Sequence, residues 1–472
     1  MHRPAGSLAA WLRRGAWRAM VEPLIRHAGW FGFFVVLAPI IGPRGYGLFV
    51  MALSGIAIVA AALSEAVAGA LGRIAPLDER HLSTALIGAA GIGAALSLAL
   101  FVAAGPLELM LDDAPFGDLF RSLSPLPVLA ALGAVPTAIL RRRAKQGPFA
   151  AATAAGLCAG GGVALALAWA SAGPWSLVAQ IVAQRFVECM VLWGIAARRI
   201  GLVWSPAHFA ALIGALDLGV LTPVWPVVLR FAPALLVGLV LGPIGAGLFM
   251  LAARVAEALD DILLGPFRPV RRALLLSWAD EIAAAMRRTA LPAALASLLL
   301  AIALPPLLDI RWWGAVMPAQ LLLLALVPGS LIGARAAAVG SGNEARWQLA
   351  QTLGALGVVA LAAPFGLVAV AAAALAYWAA VAAVALWPLR RALGPYWPRA
   401  IALAVRPLAA ATAAGGVLYM LSEPVSLALP PLPALCLLAA LGRLCYLLAG
   451  GATSGAAAAG IAPRRRLSPA KP

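Results

Sequence analysis

Charge is scarce in this chain: 11% of its 472 residues are Asp, Glu, Lys or Arg, against 63% hydrophobic. No polar stretch is long enough to form a domain, so a soluble multidomain protein is excluded and an integral membrane protein remains. Nucleic acid is excluded as a partner on the same ground, because a net charge of +17 needs a polar domain to display a basic face. Lysine is nearly missing, with Lys145 and Lys471 alone. The positive charge is therefore arginine, most of it in short segments between apolar runs.

Cysteine and histidine are equally sparse. Cys158, Cys189, Cys436 and Cys445 fall inside apolar runs with no paired or metal-ligand spacing, which predicts small packing residues. His2, His27, His81 and His208 are scattered, so no metal site is expected from them. No Walker A loop or other phosphate cradle occurs, and no ATP or other cofactor is expected. Asp112-Asp113 is the only acidic pair on an outer loop. A lipid-linked glycosyltransferase or a glycan polymerase would need a larger acidic outer loop, so transport is the stronger class and no enzymatic activity is expected.

What the chain does have is a repeat. Ile41-Gly42-Pro43-Arg44-Gly45-Tyr46-Gly47-Leu48-Phe49 returns 200 residues later (Ile41 to Leu241) as Leu241-Gly242-Pro243-Ile244-Gly245-Ala246-Gly247-Leu248-Phe249. Each copy lies between apolar runs and predicts a tight interhelical turn, with glycine allowing positive φ and close approach, and proline ending the preceding helix. Two copies at matched places predict a duplicated bundle of membrane helices.

At about 20 apolar residues per crossing, fourteen spans are predicted: 24–42, 47–71, 82–104, 119–140, 148–171, 174–197, 222–241, 247–267, 289–308, 312–333, 347–366, 367–389, 400–421 and 430–449. The expected fold is all-α. A cytoplasmic amphipathic segment (1–22) precedes an N-lobe of six helices (23–199), a cytoplasmic linker (200–221) and a C-lobe of six helices (222–391). Two extra helices (392–450) and a cytoplasmic tail (451–472) follow. The opening segment sets Leu8, Trp11 and Leu12 beside Arg13, Arg14 and Arg18, a pattern suited to anionic membrane lipid. The first apolar run lacks a clear small-residue cleavage site and reads as a retained span. Gly156, Gly160, Gly161 and Gly162 would let helices approach closely.

Orientation follows from arginine. With a cytoplasmic N-terminus, the loops holding Arg73 and Arg80, Arg141 to Lys145, Arg198 and Arg199, Arg268 to Arg288, Arg335 and Arg346, Arg390 to Arg399, and Arg464 to Lys471 all fall inside. The outer loops hold only Arg44 and Arg311, with acids such as Asp112, Asp309 and Glu423. This asymmetry predicts that both termini are cytoplasmic.

Ionisable groups within spans cost about 2.5–3.5 kcal/mol each on insertion scales, so each needs a partner, a wet cavity or a route to the interface. Arg26, near the inner end of its span, can snorkel, and Glu65 reads as an interface residue. Arg185, Arg230 and Arg254 fall near the bilayer centre. Arg185 has Glu188 one turn away, and Arg254 has Glu257 one turn on with Asp260 and Asp261 beyond. No acid lies within one turn of Arg230 on its helix, which makes it the first candidate to meet an anionic substrate. Arg254, Arg185 and Arg26 are the further cavity candidates. Glu257, Asp260, Asp261, Glu188 and Glu65 are candidates for ion coupling or gating.

The Gly42-to-Phe49 turn, together with Leu236 to Pro243 running into Gly247 to Arg254, resembles the polysaccharide transporter family. That family holds the O-antigen and exopolysaccharide flippases of the multidrug, oligosaccharidyl-lipid and polysaccharide exporter superfamily. The resemblance implies two lobes around a central cavity and alternating access. It further implies an undecaprenyl-pyrophosphate-linked oligosaccharide as substrate, in the bacterial cytoplasmic membrane, for lipopolysaccharide or exopolysaccharide assembly alongside other assembly proteins. In related lipid flippases the cavity is cationic to hold pyrophosphate, which Arg230 and Arg254 fit by type and depth. Ala246 departs from the aromatic Tyr46 of the first copy. The alternatives are a cation-coupled multidrug exporter of the same superfamily, for which the cavity should be acidic, and a scaffold without transport.

Overall fold

The computed structural model describes residues 17–111, 114–143, 147–196, 201–217, 219–263, 309–329, 344–393 and 431–448, with isolated positions at 293, 295, 332 and within 409–421. Most of spans 289–308 and 400–421, the first sixteen residues and the tail lie outside the described residues. So do Asp112 and Asp113, the inner arginines at 198–199, 268–288 and 335, and the side chain of Cys436.

Every regular element among the described residues is helical. The α-helices are α1 (Trp17–Arg73), α2 (Glu79–Leu111), α3 (Ala114–Leu123), α4 (Leu126–Arg142), α5 (Gly147–Trp169), α6 (Trp175–Ala196), α7 (Pro206–Gly214), α8 (Trp225–Leu263), α9 (Val316–Leu324), α10 (Glu344–Ala362), α11 (Leu367–Leu393) and α12 (Pro431–Leu448), with short 3-10 turns at Thr222–Val224, Ile310–Ala315 and Ala363–Phe365. Nine stretches of the described residues are long and apolar enough to cross a membrane, and the chain is a multi-pass membrane protein.

Two of those nine are folded hairpins. The α1 stretch runs 49 residues, which as a straight helix would reach about 73 Å, far beyond the roughly 30 Å of a hydrocarbon core. Its backbone leaves helical geometry at Gly42 (φ 68°, ψ 168°), and α8 does the same at Gly242 (φ 78°, ψ 178°). The chain doubles back there. Phe34 and Tyr46 would be about 18 Å apart along a straight helix, yet their ring centroids lie 5.1 Å apart. This refines the expected loop of several residues to a hinge of one. Only glycine tolerates that backbone region, and the following proline starts the next arm at once, because the first turn of a helix has no use for its missing N–H.

Folding back leaves the last carbonyls of the first α1 arm without helical partners. Residues 309–315 supply donors: Trp312 Nε1 donates to the Ala38 carbonyl at 3.2 Å, and Arg311 Nη2 to that of Pro39 at 2.7 Å. Arg311 is in turn held by Asp309 at 2.7 Å. At the other end of α1, Arg142 donates to the carbonyls of Gly72 and Ile74.

The chain divides into two compact units, one comprising residues 1–254, 308–315 and 342–370, the other 255–307, 316–341 and 371–472. In the first, the two hinges meet. A Cβ on Gly47 would come within 1.7 Å of the Pro243 carbonyl oxygen, and one on Gly247 within 2.2 Å of the Pro43 carbonyl oxygen. Small residues also set α5 against α6, where a Cβ at Gly156 would meet Glu188 Cγ at 2.6 Å and one at Gly160 the Gln180 carbonyl at 2.6 Å. Lipid offers no hydrophobic drive for helix association, so such close approach supplies the dispersion contacts instead. Gly161 receives the Phe33 ring, whereas Gly162 faces open space. The predicted span 119–140 is broken at Ser124-Pro125 into α3 and α4, with Pro125 preceding the first turn of α4. In the second unit, Ala410, Ala411, Ala414 and Tyr446 form a buried cluster, and Gly442 makes room for Leu295 and Leu418.

Candidate substrate site

The first arm of α1 carries Arg26, Trp30 and Phe34 at intervals of four residues, which stacks them on one helical face. Trp30 and Phe34 are stacked with centroids 5.0 Å apart and 18° between planes. Phe34 meets Tyr46 and Trp312 edge-on, each at 5.1 Å. The second arm thus brings Tyr46 to this face, and α8 brings Phe231 and Arg254. Along a straight α8 those two would be about 35 Å apart, but the hinge at Gly242 sets the Arg254 Cζ 5.3 Å from the Phe231 centroid. The same carbon lies 5.9 Å from the Trp30 centroid.

Arg254 is also hydrogen-bonded to the Tyr46 hydroxyl and lies within electrostatic reach of Arg26 and Arg185. Guanidinium stays protonated at any physiological pH, so the fold gathers three fixed positive charges in one region of the first unit. Aromatic faces attract a cation by about 0.5–2 kcal/mol, which supports Arg254 between Trp30 and Phe231.

Of the cavity candidates, Arg26 and Arg185 lie within electrostatic reach of Arg254. Arg230 is half-buried, immediately before the Phe231 that receives Arg254. Arg185 keeps its expected partner, with Nη1 donating to Glu188 Oε2 at 2.9 Å, and Gln184 Nε2 donates to the other Glu188 oxygen at 2.9 Å. Glu65 has a partner from another helix: Arg141 grips it through two bonds of 2.7 Å, a bidentate lock between α1 and α4. Glu257, Asp260 and Asp261 are half-buried along the end of α8, in the second unit.

Trp30, Phe231 and Tyr46 surround Arg254, a set of contacts that charge alone does not indicate. The four-residue spacing of Arg26, Trp30 and Phe34 was the available signal. Two of the scattered histidines also come together: His81 and His208 have ring centroids 4.3 Å apart.

A family profile described as "Polysaccharide biosynthesis protein" matches residues 36–304. No curated protein sequence matches the chain. Among solved structures, the chain is similar to the lipid II flippase MurJ in an inward closed conformation, with a TM-score of 0.67 and 11% identity, covering 93% of this chain and 98% of that one. It is similar to an inward-facing multidrug resistance MATE family transporter of the MOP superfamily, with a TM-score of 0.60 and 17% identity over 82% of this chain and 98% of that one. An outward-facing structure of a MATE family transporter of that superfamily matches with a TM-score of 0.52 and 15% identity, over 82% and 96%. At these identities the likeness concerns the fold, which is that of MurJ and MATE transporters.

Proposed function

Because the chain belongs to the polysaccharide biosynthesis protein family, we propose that it is a flippase for an undecaprenyl-pyrophosphate-linked oligosaccharide, moving it across the bacterial cytoplasmic membrane by alternating access for surface polysaccharide assembly. The observation that supports this reading is Arg254 held against Trp30, Phe231 and the Tyr46 hydroxyl, within electrostatic reach of Arg26 and Arg185. A pyrophosphate presents several oxygens to planar guanidinium forks, each charge-assisted bond contributing about 1.5–3 kcal/mol. Arg254 is the central ligand in this account, and Arg230 a further one. Glu257, Asp260 and Asp261 are the coupling-ion candidates. The glycan is assembled on the cytoplasmic leaflet, where both termini lie, and the basic opening segment rests on anionic lipid.

A multidrug exporter of the same fold would take cationic drugs, and a tri-arginine region disfavours them. The test is transport itself. Proteoliposomes holding the purified protein and a fluorescent polyprenyl-pyrophosphate oligosaccharide should expose the glycan to a membrane-impermeant quencher faster than empty vesicles. Equal rates would reject the flippase reading, and accumulation of a lipophilic cation instead would favour the exporter.

A further inference from the structure

The geometry points to a divalent transition-metal site, of zinc class, formed by Asp78, His81 and His208 where the start of α2 meets the linker helix α7. It is separate from the substrate region and independent of the flippase reading. One ligand atom from each of the three residues lies within 4.8 Å of the others. A tetrahedral zinc ion with ligands at about 2.0–2.2 Å places them about 3.3 Å apart, inside the 4.8 Å over which these three atoms are spread.

Each helix places a histidine three residues after the polar residue that precedes it, His81 after Asp78 and His208 after Ser205. Asp78 precedes α2 and accepts from the His81 amide at 2.8 Å, as an N-cap carboxylate does. Ser205 precedes α7 with no side-chain cap bond; its hydroxyl lies 2.6 Å from His208 Nδ1 instead. That contact fixes the ring. His208 Nε2 lies 3.4 Å from Asp78 Oδ2, so with Nδ1 engaged by Ser205 it is Nε2 that stands beside the carboxylate as a ligand atom. The His81 Nδ1 lies 2.5 Å from Asp78 Oδ1, so both imidazoles approach the same carboxylate. Two imidazoles and one carboxylate suit zinc and its neighbours, with a coordination position left for water. The half-exposed Asp78 gives access.

The frame around these ligands is fixed. Leu82 of α2 and Leu212 of α7 are buried in one apolar cluster, and Phe209 packs over Gly88. Ser83 Oγ accepts from the Val203 amide at 2.6 Å, and Arg73 pairs with Asp217 beyond α7. Bound metal would therefore enter a largely preformed site and fasten the linker helix to α2.

The test uses the full chain, purified in detergent without a polyhistidine tag and stripped with chelator. Cobalt(II) titration should give the visible absorption of a four- or five-coordinate ion, saturating at one equivalent, and zinc should displace it. Zinc affinity, read by competition with a chromophoric chelator, should fall at least tenfold in Asp78→Asn and in His208→Gln, and about tenfold in Ser205→Ala. A parental protein whose zinc affinity equals that of the His81→Gln/His208→Gln double variant overturns the site. Should the variants fail to fold, the parental cobalt spectrum decides: an unperturbed six-coordinate aqua spectrum overturns it.

Discussion

Gly47 and Gly247 face each other across the two hinges, so close that a Cβ on either would stand 3.0–3.1 Å from the other's amide nitrogen, besides striking the opposite proline carbonyl. The contact is reciprocal: each repeat copy contributes a carbonyl and receives a bare Cα. Close approach, more than turn formation, is therefore what the third glycine of each copy supplies.

Gly47→Ala and Gly247→Ala should each destabilise the protein by about 3 kcal/mol or more, since the obstructing atoms are backbone and cannot rotate away. Gly162→Ala, which faces open space, should be neutral or stabilising by up to about 1 kcal/mol. Melting curves in detergent measure both. Equal melting temperatures for Gly47→Ala and Gly162→Ala would show that the hinges do not pack as described.

If the two hinges move against each other during alternating access, tethering them should arrest it. Arg44 and Ile244 occupy the matching exposed position of each copy. A reducible crosslinker joining cysteines placed there should stop glycolipid translocation, and reduction should restore it. Full transport with the bridge intact would show that the hinge pair moves as one piece.

Arg254→Lys keeps a charge over Trp30 and Phe231 but loses the planar fork, so it should retain partial translocation, whereas Arg254→Ala should lose roughly 10- to 100-fold or more. Arg26→Ala and Arg230→Ala should show smaller losses. Expression and melting temperature must be followed in parallel. A folded Arg254→Ala protein that translocates at the parental rate would remove Arg254 from the site.

The arginine distribution predicts sidedness. Single cysteines at positions 112 and 309 should react with an impermeant maleimide added to intact cells, and one at position 143 should react only after permeabilisation. Labelling at 143 in intact cells would invert the assigned orientation.

Asp309 tests the strap over the first hinge. Hydrogen bonding from Arg311, reinforced by its charge, lowers the Asp309 pKa below the ordinary 3.8. A folded-state pKa below the unfolded one means that ionisation favours the folded state; the contribution is full above the unfolded value and fades as pH falls through the folded one. The melting-temperature gap between the parent and Asp309→Asn should accordingly stay constant from about pH 5 to 8 and shrink below about pH 4. A gap that widens on acidification would contradict the pairing.

Membrane class, helical fold, the positions of most described spans and the existence of two matched hinges were all legible in the sequence. They rest on local features: apolar run length, the Gly-Pro-x-Gly-x-Gly pattern and charge asymmetry. Tertiary structure decided which charges meet. Glu65 has its partner Arg141 on another helix, and Arg254 reaches Trp30 and Phe231 only because Gly42 and Gly242 reverse the chain. The same holds for Asp78, His81 and His208, whose contact depends on α7 docking against α2. Hydrophobicity along a helix reports what one element needs from its surroundings. Which side chains end up side by side depends on hinge angle and helix packing, and a one-dimensional pattern carries neither.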